Sequence, residues 1–354
     1  MKPIRSLLVC AALSLGGCSF GVGPQRLDID QLGYATTLGE GLKRQMLLNM
    51  VRLRYADVPA FVSVTQMISG STLQSTAQLG LNAYTNAAPG NFVTAAGTVQ
   101  YTDRPTFTFT PVTGDQFAQS YLRPLAPAEL LSLAQSGAPI DLLFRIGVHS
   151  VNGLANEATH SGASQQAAGG FQELMRTLVE IQHAGALGLR FERHGQGPGQ
   201  TTKVFLLLDD SQPGLRSRIR DARRLLGAGP AARELEVVYG RSRGRQDQVV
   251  VLTRSMLQVL YEFGTQIEVA EADVTRGETG PTGQGDPRDR VMRVRQGTHA
   301  PADAYAAVVY RGRWFWIDAA DLRSKTAFTF AYILQVLAES GRSQVAPVVT
   351  IPAQ

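Results

Sequence analysis

Cysteine is almost missing from this chain: Cys10 and Cys18 are the two in 354 residues. Past Cys18 no thiol is left for a disulfide, a thiolate metal site or a cysteine nucleophile. Packing alone must then hold the fold. The five histidines, His149, His160, His183, His194 and His299, have no second His or carboxylate at metal-motif spacing, and His-Glu-x-x-His is missing. Each reads as a surface or hydrogen-bonded histidine. No serine-nucleophile elbow and no Ser-x-x-Lys are read, which argues against the common serine hydrolases. The glycine-rich stretches at 195–199 and 277–285 lack the Gly-Lys-Ser/Thr ending that cradles phosphate, and read as turns. No metal, cofactor or catalytic residue is expected from these absences. Past residue 15 there is also no apolar run long enough to span a membrane as a helix. Between Ser69 and Thr102 there is no charged residue at all.

The first 18 residues carry the strongest positive signal. Lys2 and Arg5 precede an apolar run from Leu7 to Leu15, which ends in Leu15-Gly16-Gly17-Cys18. A charged start, a short apolar core and small residues before a cut site describe an export signal. The run is shorter than the roughly 20 residues that a spanning helix needs. The Leu-Gly-Gly-Cys ending resembles the lipobox of bacterial lipoprotein signal peptides, over the first 20 or so residues. The resemblance implies cleavage between Gly17 and Cys18, diacylglycerol on the Cys18 sulfur, and an acyl chain such as palmitate on its new amino group. Two or more chains make an anchor stable, since one alone holds marginally. In the sorting rule of such lipoproteins an Asp after the cysteine favours the inner membrane; Ser19 here implies the periplasmic leaflet of the outer membrane. The segments 47–55 (Leu-Leu-Asn-Met-Val-Arg-Leu-Arg-Tyr) and 313–318 (Arg-Trp-Phe-Trp-Ile-Asp) resemble stretches of proteobacterial lipoproteins with no assigned activity, so no functional residue carries over.

An extracytoplasmic setting decides how charge is read. The net charge is +5, with 34 Lys and Arg against 29 Asp and Glu, and only four of the 34 are Lys. Lipid headgroups, lipopolysaccharide or acidic protein faces are the expected anionic partners, and nucleic acid is not. The densest group is Arg216, Arg220, Arg223 and Arg224, which helical spacing brings near one another. These four are the candidate contacts to an anionic partner, against the plainer reading of a solvated face.

Residues 18–37 have no clear period and read as a tether. From 38 to 55, Leu42, Met46, Met50 and Leu53 recur at helical spacing, and Pro59 ends the helix. A β-meander follows. Leu73, Ser75, Ala77, Leu79 and Leu81 alternate with Thr72, Gln74, Thr76, Gln78 and Gly80. After a turn at 85–91, Val93, Ala95, Gly97, Val99 and Tyr101 alternate with Thr94, Ala96, Thr98, Gln100 and Thr102. A solvated strand face ordinarily carries charges that guard against edge pairing; this one carries Thr, Gln and Asn. The 72–102 segment is therefore read in three ways: a half-buried meander, a strand donor to another sheet, or an amphipathic membrane hairpin.

Short helices are expected at 114–122 and 127–135, and a buried segment at 142–151. The Ala/Ser/Gly/Gln-rich loop at 157–170 is the best domain boundary. The second half alternates helices at 171–183, 214–226, 253–263 and 322–339 with strands at 187–192, 203–208, 235–239, 248–252, 290–295, 304–310, 313–317 and 345–351. A weak repeat links 257–264 with 334–341. The expected fold class is α+β, with mixed, mostly antiparallel sheets, covering helices and an N-terminal β-meander. The expected domains are a signal peptide (1–17), a tether (18–37), a helix, meander and helical domain (38–165), and an α+β domain (166–354). The expected function is a non-enzymatic binding or assembly component of an envelope complex, held by its lipid and joined to an envelope protein or to itself. The alternatives are a subunit of an oligomeric outer-membrane pore that contributes the 72–102 hairpin, and an envelope-polymer enzyme.

Overall fold

The computed structural model describes residues 24–68, 71–82, 92–103, 106–156, 158–160, 163–165, 167–195, 201–241, 245–282 and 290–340. Gly17, Cys18 and the proposed strand at 345–351 lie outside them. The chain divides into two compact units, Ala60–Phe117 and the remainder.

The larger unit opens with helix α1 (Pro24–Arg54). Residues 24–37 are thus helical, where a tether was expected. Pro24 suits a first helical turn. The Thr36 and Thr37 hydroxyls donate back to the Leu32 and Gly33 carbonyls (2.7 and 2.9 Å). Leu32, Thr36 and Thr37 are exposed, so this part of the helix needs no apolar period and shows none. Of the expected period Met46 and Met50 are buried, with Leu47 and Val51 beside them, whereas Leu42 and Leu53 are half-buried.

In the smaller unit, β1 (Val62–Ile68), β2 (Ser71–Asn82), β3 (Phe92–Asp103) and β4 (Thr106–Pro111) form two antiparallel pairs, β1 with β4 and β2 with β3.

The larger unit resumes with a π-helical turn, Ala118–Leu122. There follow α2 (Pro127–Gln135), α3 (Ile140–Gly147), β5 (Val148–Val151), β6 (Leu154–Ala155), β7 (Ala158–His160), β8 (Ala163–Gln165), α4 (Gly169–His183), β9 (Leu187–His194) and β10 (Thr201–Leu208). After these come α5 (Arg216–Leu226), β11 (Glu234–Tyr239), β12 (Gln248–Thr253), α6 (Met256–Thr265), α7 (Glu271–Thr275), β13 (Arg295–Gly297), β14 (Ala306–Tyr310), β15 (Arg313–Ile317) and α8 (Leu322–Ser340).

The α+β expectation holds. Strands β6-β5-β12-β11-β10-β9 make one mixed sheet, parallel at β11/β12 and antiparallel elsewhere. Because β5 and β6 precede residue 166 and β9 to β12 follow it, the expected boundary at 165/166 cuts through a sheet and is corrected. Val204, Leu206 and Leu208 alternate inward from β10, as a strand with one covered face does, whereas Val249, Val250 and Val251 of central β12 are all buried. The second sheet is β13-β15-β14. Its β14–β15 turn is Arg311-Gly312, both at positive φ (49° and 76°), the geometry of the tightest hairpin connection. The 257–264 and 334–341 repeat does not mark equivalent units: Leu257 to Leu260 open α6, whereas Leu334 to Leu337 lie late in α8.

Helix α6 starts on a reciprocal cap. Gln258 N–H donates to Ser255 Oγ (3.3 Å), and Ser255 N–H to Gln258 Oε1 (2.9 Å). Its far end crosses α1 closely, where Gly264 leaves room for the Met50 carbonyl.

Candidate functional site

The smaller unit is the part of the molecule with the most unmet requirements. Its two strand pairs share one register frame: Ile68 stands opposite Thr106 and Ser71 opposite Asp103. One irregularity falls between Val64 and Gln66. At the base, Val112 N–H donates to the Phe61 carbonyl (2.9 Å), and the Phe61 and Phe117 rings lie 5.9 Å apart. Strands β2 and β3 make a two-stranded ribbon twelve residues long. Only Asp103 and Arg104 carry charge between Val62 and Pro111, and none occurs from Val58 to Thr102.

The register brings the two alternations into phase. Leu73 is opposite Tyr101, Ser75 opposite Val99, Ala77 opposite Gly97, Leu79 opposite Ala95 and Leu81 opposite Val93. The intervening positions pair Thr72 with Thr102, Gln74 with Gln100, Thr76 with Thr98 and Gly80 with Thr94. Directly opposite residues of an antiparallel pair share a face. One row of opposite pairs is thus mostly apolar, interrupted by Ser75 and closed at the base by Ser71 opposite Asp103; the other is uncharged and mostly polar, with Gln78 opposite Ala96 and Asn82 opposite Phe92. Among the described residues, β2 and β3 pair only with each other, so the outer backbone edge of each is open to a further strand. Thr108, Phe109 and Thr110 in β4 are exposed in succession.

The larger unit spends its charged groups internally. Arg254 is 2% exposed, and its guanidinium donates to the Arg145 and Ile146 carbonyls (2.8 and 3.1 Å) and stands 3.9 Å from Glu262. A cation on the last carbonyls of α3 meets the negative end of that helix. A second cluster joins α1, α7 and the β14–β15 hairpin. Buried Asp273 accepts from the Tyr55 hydroxyl (2.8 Å) and pairs with Arg276 and, at 3.6 Å, with Arg313. Burial pushes the Asp273 carboxyl up, but the Tyr55 hydrogen bond and the charges of Arg313 and Arg276 outweigh it and hold it below the usual range. Burial first, then the bond to Asp273, raises the Tyr55 phenol well above its ordinary value. The pair is a fixed donor and a fixed acceptor, with no proton to trade near neutral pH. Arg311 lies over the Tyr55 and Tyr310 rings (5.6 and 5.3 Å) and pairs with Glu278 (3.3 Å). The sequence reading missed this cluster; the Arg311-Gly312 turn was its one visible landmark.

The arginine helix is corrected in part. Arg223 is buried, pairs with Asp210 (3.1 Å) and donates to the Ala232 carbonyl (2.7 Å), so it cannot meet a partner. It lies on the same inward stripe as Ile219, Ala222 and Leu226. Arg216 is exposed and donates to the Asp210 carbonyl (3.3 Å); Arg224 pairs with Glu173 (3.1 Å). Arg220 is exposed. Asp210 is an ion-pair acceptor, and Asp209 accepts from Ser211 N–H and Oγ (3.0 and 2.9 Å). Asp321 does cap α8, accepting from Ser324 N–H at 3.0 Å.

Two features bear on the enzyme alternative. The Gly-x-Ser-x-Gly spacing does occur, at Gly240-Arg241-Ser242-Arg243-Gly244, contrary to the sequence reading. Residues 242–244 lie outside the described ones; the next described element after them is strand β12, whereas the nucleophile elbow joins a strand to a helix. A cavity of about 590 Å³ lies along α3 and α4, lined in part by Phe171, Met175 and Val179. Of its two carboxylates, Asp141 and Glu180, the second pairs with Arg218 (2.6 Å). Among the described residues no group of three or more His, Cys, Asp or Glu is placed to hold a metal ion. Comparison with known protein families, with curated proteins and with solved structures returned no match.

Proposed function

We propose that this protein is a non-enzymatic, lipid-anchored component of the outer membrane that joins an envelope assembly through its β-ribbon. One observation carries the reading: β2 and β3, twelve residues each, offer open outer edges and carry no charge before Asp103. An isolated two-stranded hairpin is marginal in water, because half of a sheet's stabilising neighbours are missing. Natural edge strands are blunted by Lys, Pro or covering segments. A long edge without charge is suited to receiving a strand from elsewhere, since backbone hydrogen bonds then supply affinity and alternate side chains supply specificity. The anchor rests on the sequence around Cys18.

The test replaces residues 71–103 with a two-residue Asn-Gly turn in the lipidated protein. The shortened chain should keep the far-ultraviolet spectrum and unfolding midpoint of the larger unit but run as a monomer after mild detergent extraction, where the full chain runs as a complex. Equal complex size for both chains overturns the reading. Separately, Cys18→Ser should move the protein from the membrane to the soluble periplasmic fraction.

A further inference from the structure

We infer that the strand received by this ribbon belongs to a second copy of the same chain, and that the Ser71–Asp103 segments of several copies close into a β-barrel across the outer membrane. The inference rests on the assembly reading above and names its partner.

Length is the first argument. Strands β2 and β3 pair without a break over twelve residues. At about 3.4 Å per residue that is roughly 40 Å of strand. At the ~40° tilt of barrel strands it rises about 30 Å, enough for an apolar band of about 25 Å.

The faces agree. A barrel strand turns alternate residues to lipid and to the lumen, and from Leu73–Tyr101 to Leu81–Val93 the register gives one row of Leu, Ala, Val, Tyr and Gly with Ser75 and one row of Thr, Gln and Gly with Ala96, Asp103 lying at the base beyond them. A strand that merely joined a periplasmic sheet would leave its outer row in water, where Lys or Glu costs nothing and discourages stray pairing. The complete lack of charge from Val58 to Thr102 has no such explanation. In hydrocarbon it has one, since a charge there costs several kcal/mol.

The edges choose the partner. A single hairpin cannot stay in lipid with unsatisfied N–H and C=O groups on both sides. Two edges of equal length and frame on one ribbon let β2 of one copy pair with β3 of the next, a head-to-tail contact that closes when the rotation fits a ring. Two strands per copy also keep the strand number even, as single-chain barrels do.

The chain lends itself to a direct test, because beyond Cys18 it has no cysteine. Single cysteines at Ala77, Gln78, Leu79 and Thr98 are introduced in the full-length lipidated protein, which is reconstituted into phosphatidylethanolamine–phosphatidylglycerol vesicles and labelled with an environment-sensitive fluorophore. Labels at Ala77 and Leu79 should be blue-shifted and quenched by spin-labelled lipid; labels at Gln78 and Thr98 should be wet. Leu79→Asp should abolish release of a trapped dye, a fall of tenfold or more, with the body still folded and still held by its lipid. Thr76→Asp, on the other row, should retain release. Wet labels at all four sites, or dye release untouched by Leu79→Asp, overturn the barrel. If the four sites are wet while the 71–103 replacement still dissolves the native complex, the assembly reading stands and the barrel falls; if the replacement changes nothing, both fall.

Discussion

The Tyr55 hydroxyl donates to the Asp273 carboxylate at 2.8 Å, tying together positions 218 residues apart. Asp273 titrates below its ordinary value in the folded chain. Its stabilisation is therefore complete above the unfolded value of ~4 and drains away as pH falls through the folded one. Asp273→Asn should flatten the acid limb of stability against pH below about pH 5. Tyr55→Phe should cost about 1–3 kcal/mol at neutral pH by leaving a buried acceptor short of a donor. Urea unfolding of both variants across pH 3–7 checks the pair; an unchanged acid limb in Asp273→Asn removes the linkage.

Arg254 should be the least replaceable charge in the larger unit. Arg254→Met leaves Glu262 without its nearby cation and two α3 carbonyls without their donor. Removing one partner of a buried ion pair costs about 3–5 kcal/mol. Adding Glu262→Leu should return part of that loss, and denaturant midpoints of the single and double variants measure the return. If the double variant is as weak as the single one, the charge of Glu262 is not the source of the loss.

Gly264 should resist enlargement. A Cβ there would meet the Met50 carbonyl oxygen at 3.0 Å, a backbone atom that moves only with α1. Overpacking of this kind costs about 1–3 kcal/mol. It opposes the ~1 kcal/mol that Gly→Ala gains in a helix. Gly264→Ala should come out near neutral or slightly destabilised and Gly264→Val clearly destabilised, as thermal melts would show.

Within the arginine helix, position decides the outcome. Arg220→Glu changes an exposed residue and should shift stability by about 0.5 kcal/mol or less. Arg223→Ala leaves the Ala232 carbonyl without its donor and Asp210 with Arg233 as its remaining cation, and should cost about 1–3 kcal/mol. Equal effects at the two sites would contradict their different burial.

Much of this architecture is legible in the residues, for identifiable reasons. Period-two alternation located β2 and β3 because an uncharged ribbon has little besides its pattern, and α2 is bracketed by Pro127, whose ring fixes a helical φ, and Gly137, which alone takes the positive φ (98°) past the end without strain. What escaped reading was long-range. Nothing in the sequence near Tyr55 announces Asp273. The burial of Arg223 depends on Asp210 and Ala232, which lie on other elements. The β5–β6 hairpin was legible but passed over: Asn152-Gly153, both at positive φ, is the usual two-residue turn signal. The β2–β3 register is the one long-range fact that alternation nearly dictates, since a slip of one residue would set apolar positions against polar ones.

That same register constrains how the ribbon can change over time. Deleting one residue from one arm would invert the row beyond it, so drift in ribbon length is confined to matched pairs, two residues from each arm at once. Inheritable variation in this segment should come in steps of four residues, each step altering reach by about 7 Å and leaving the character of each face intact.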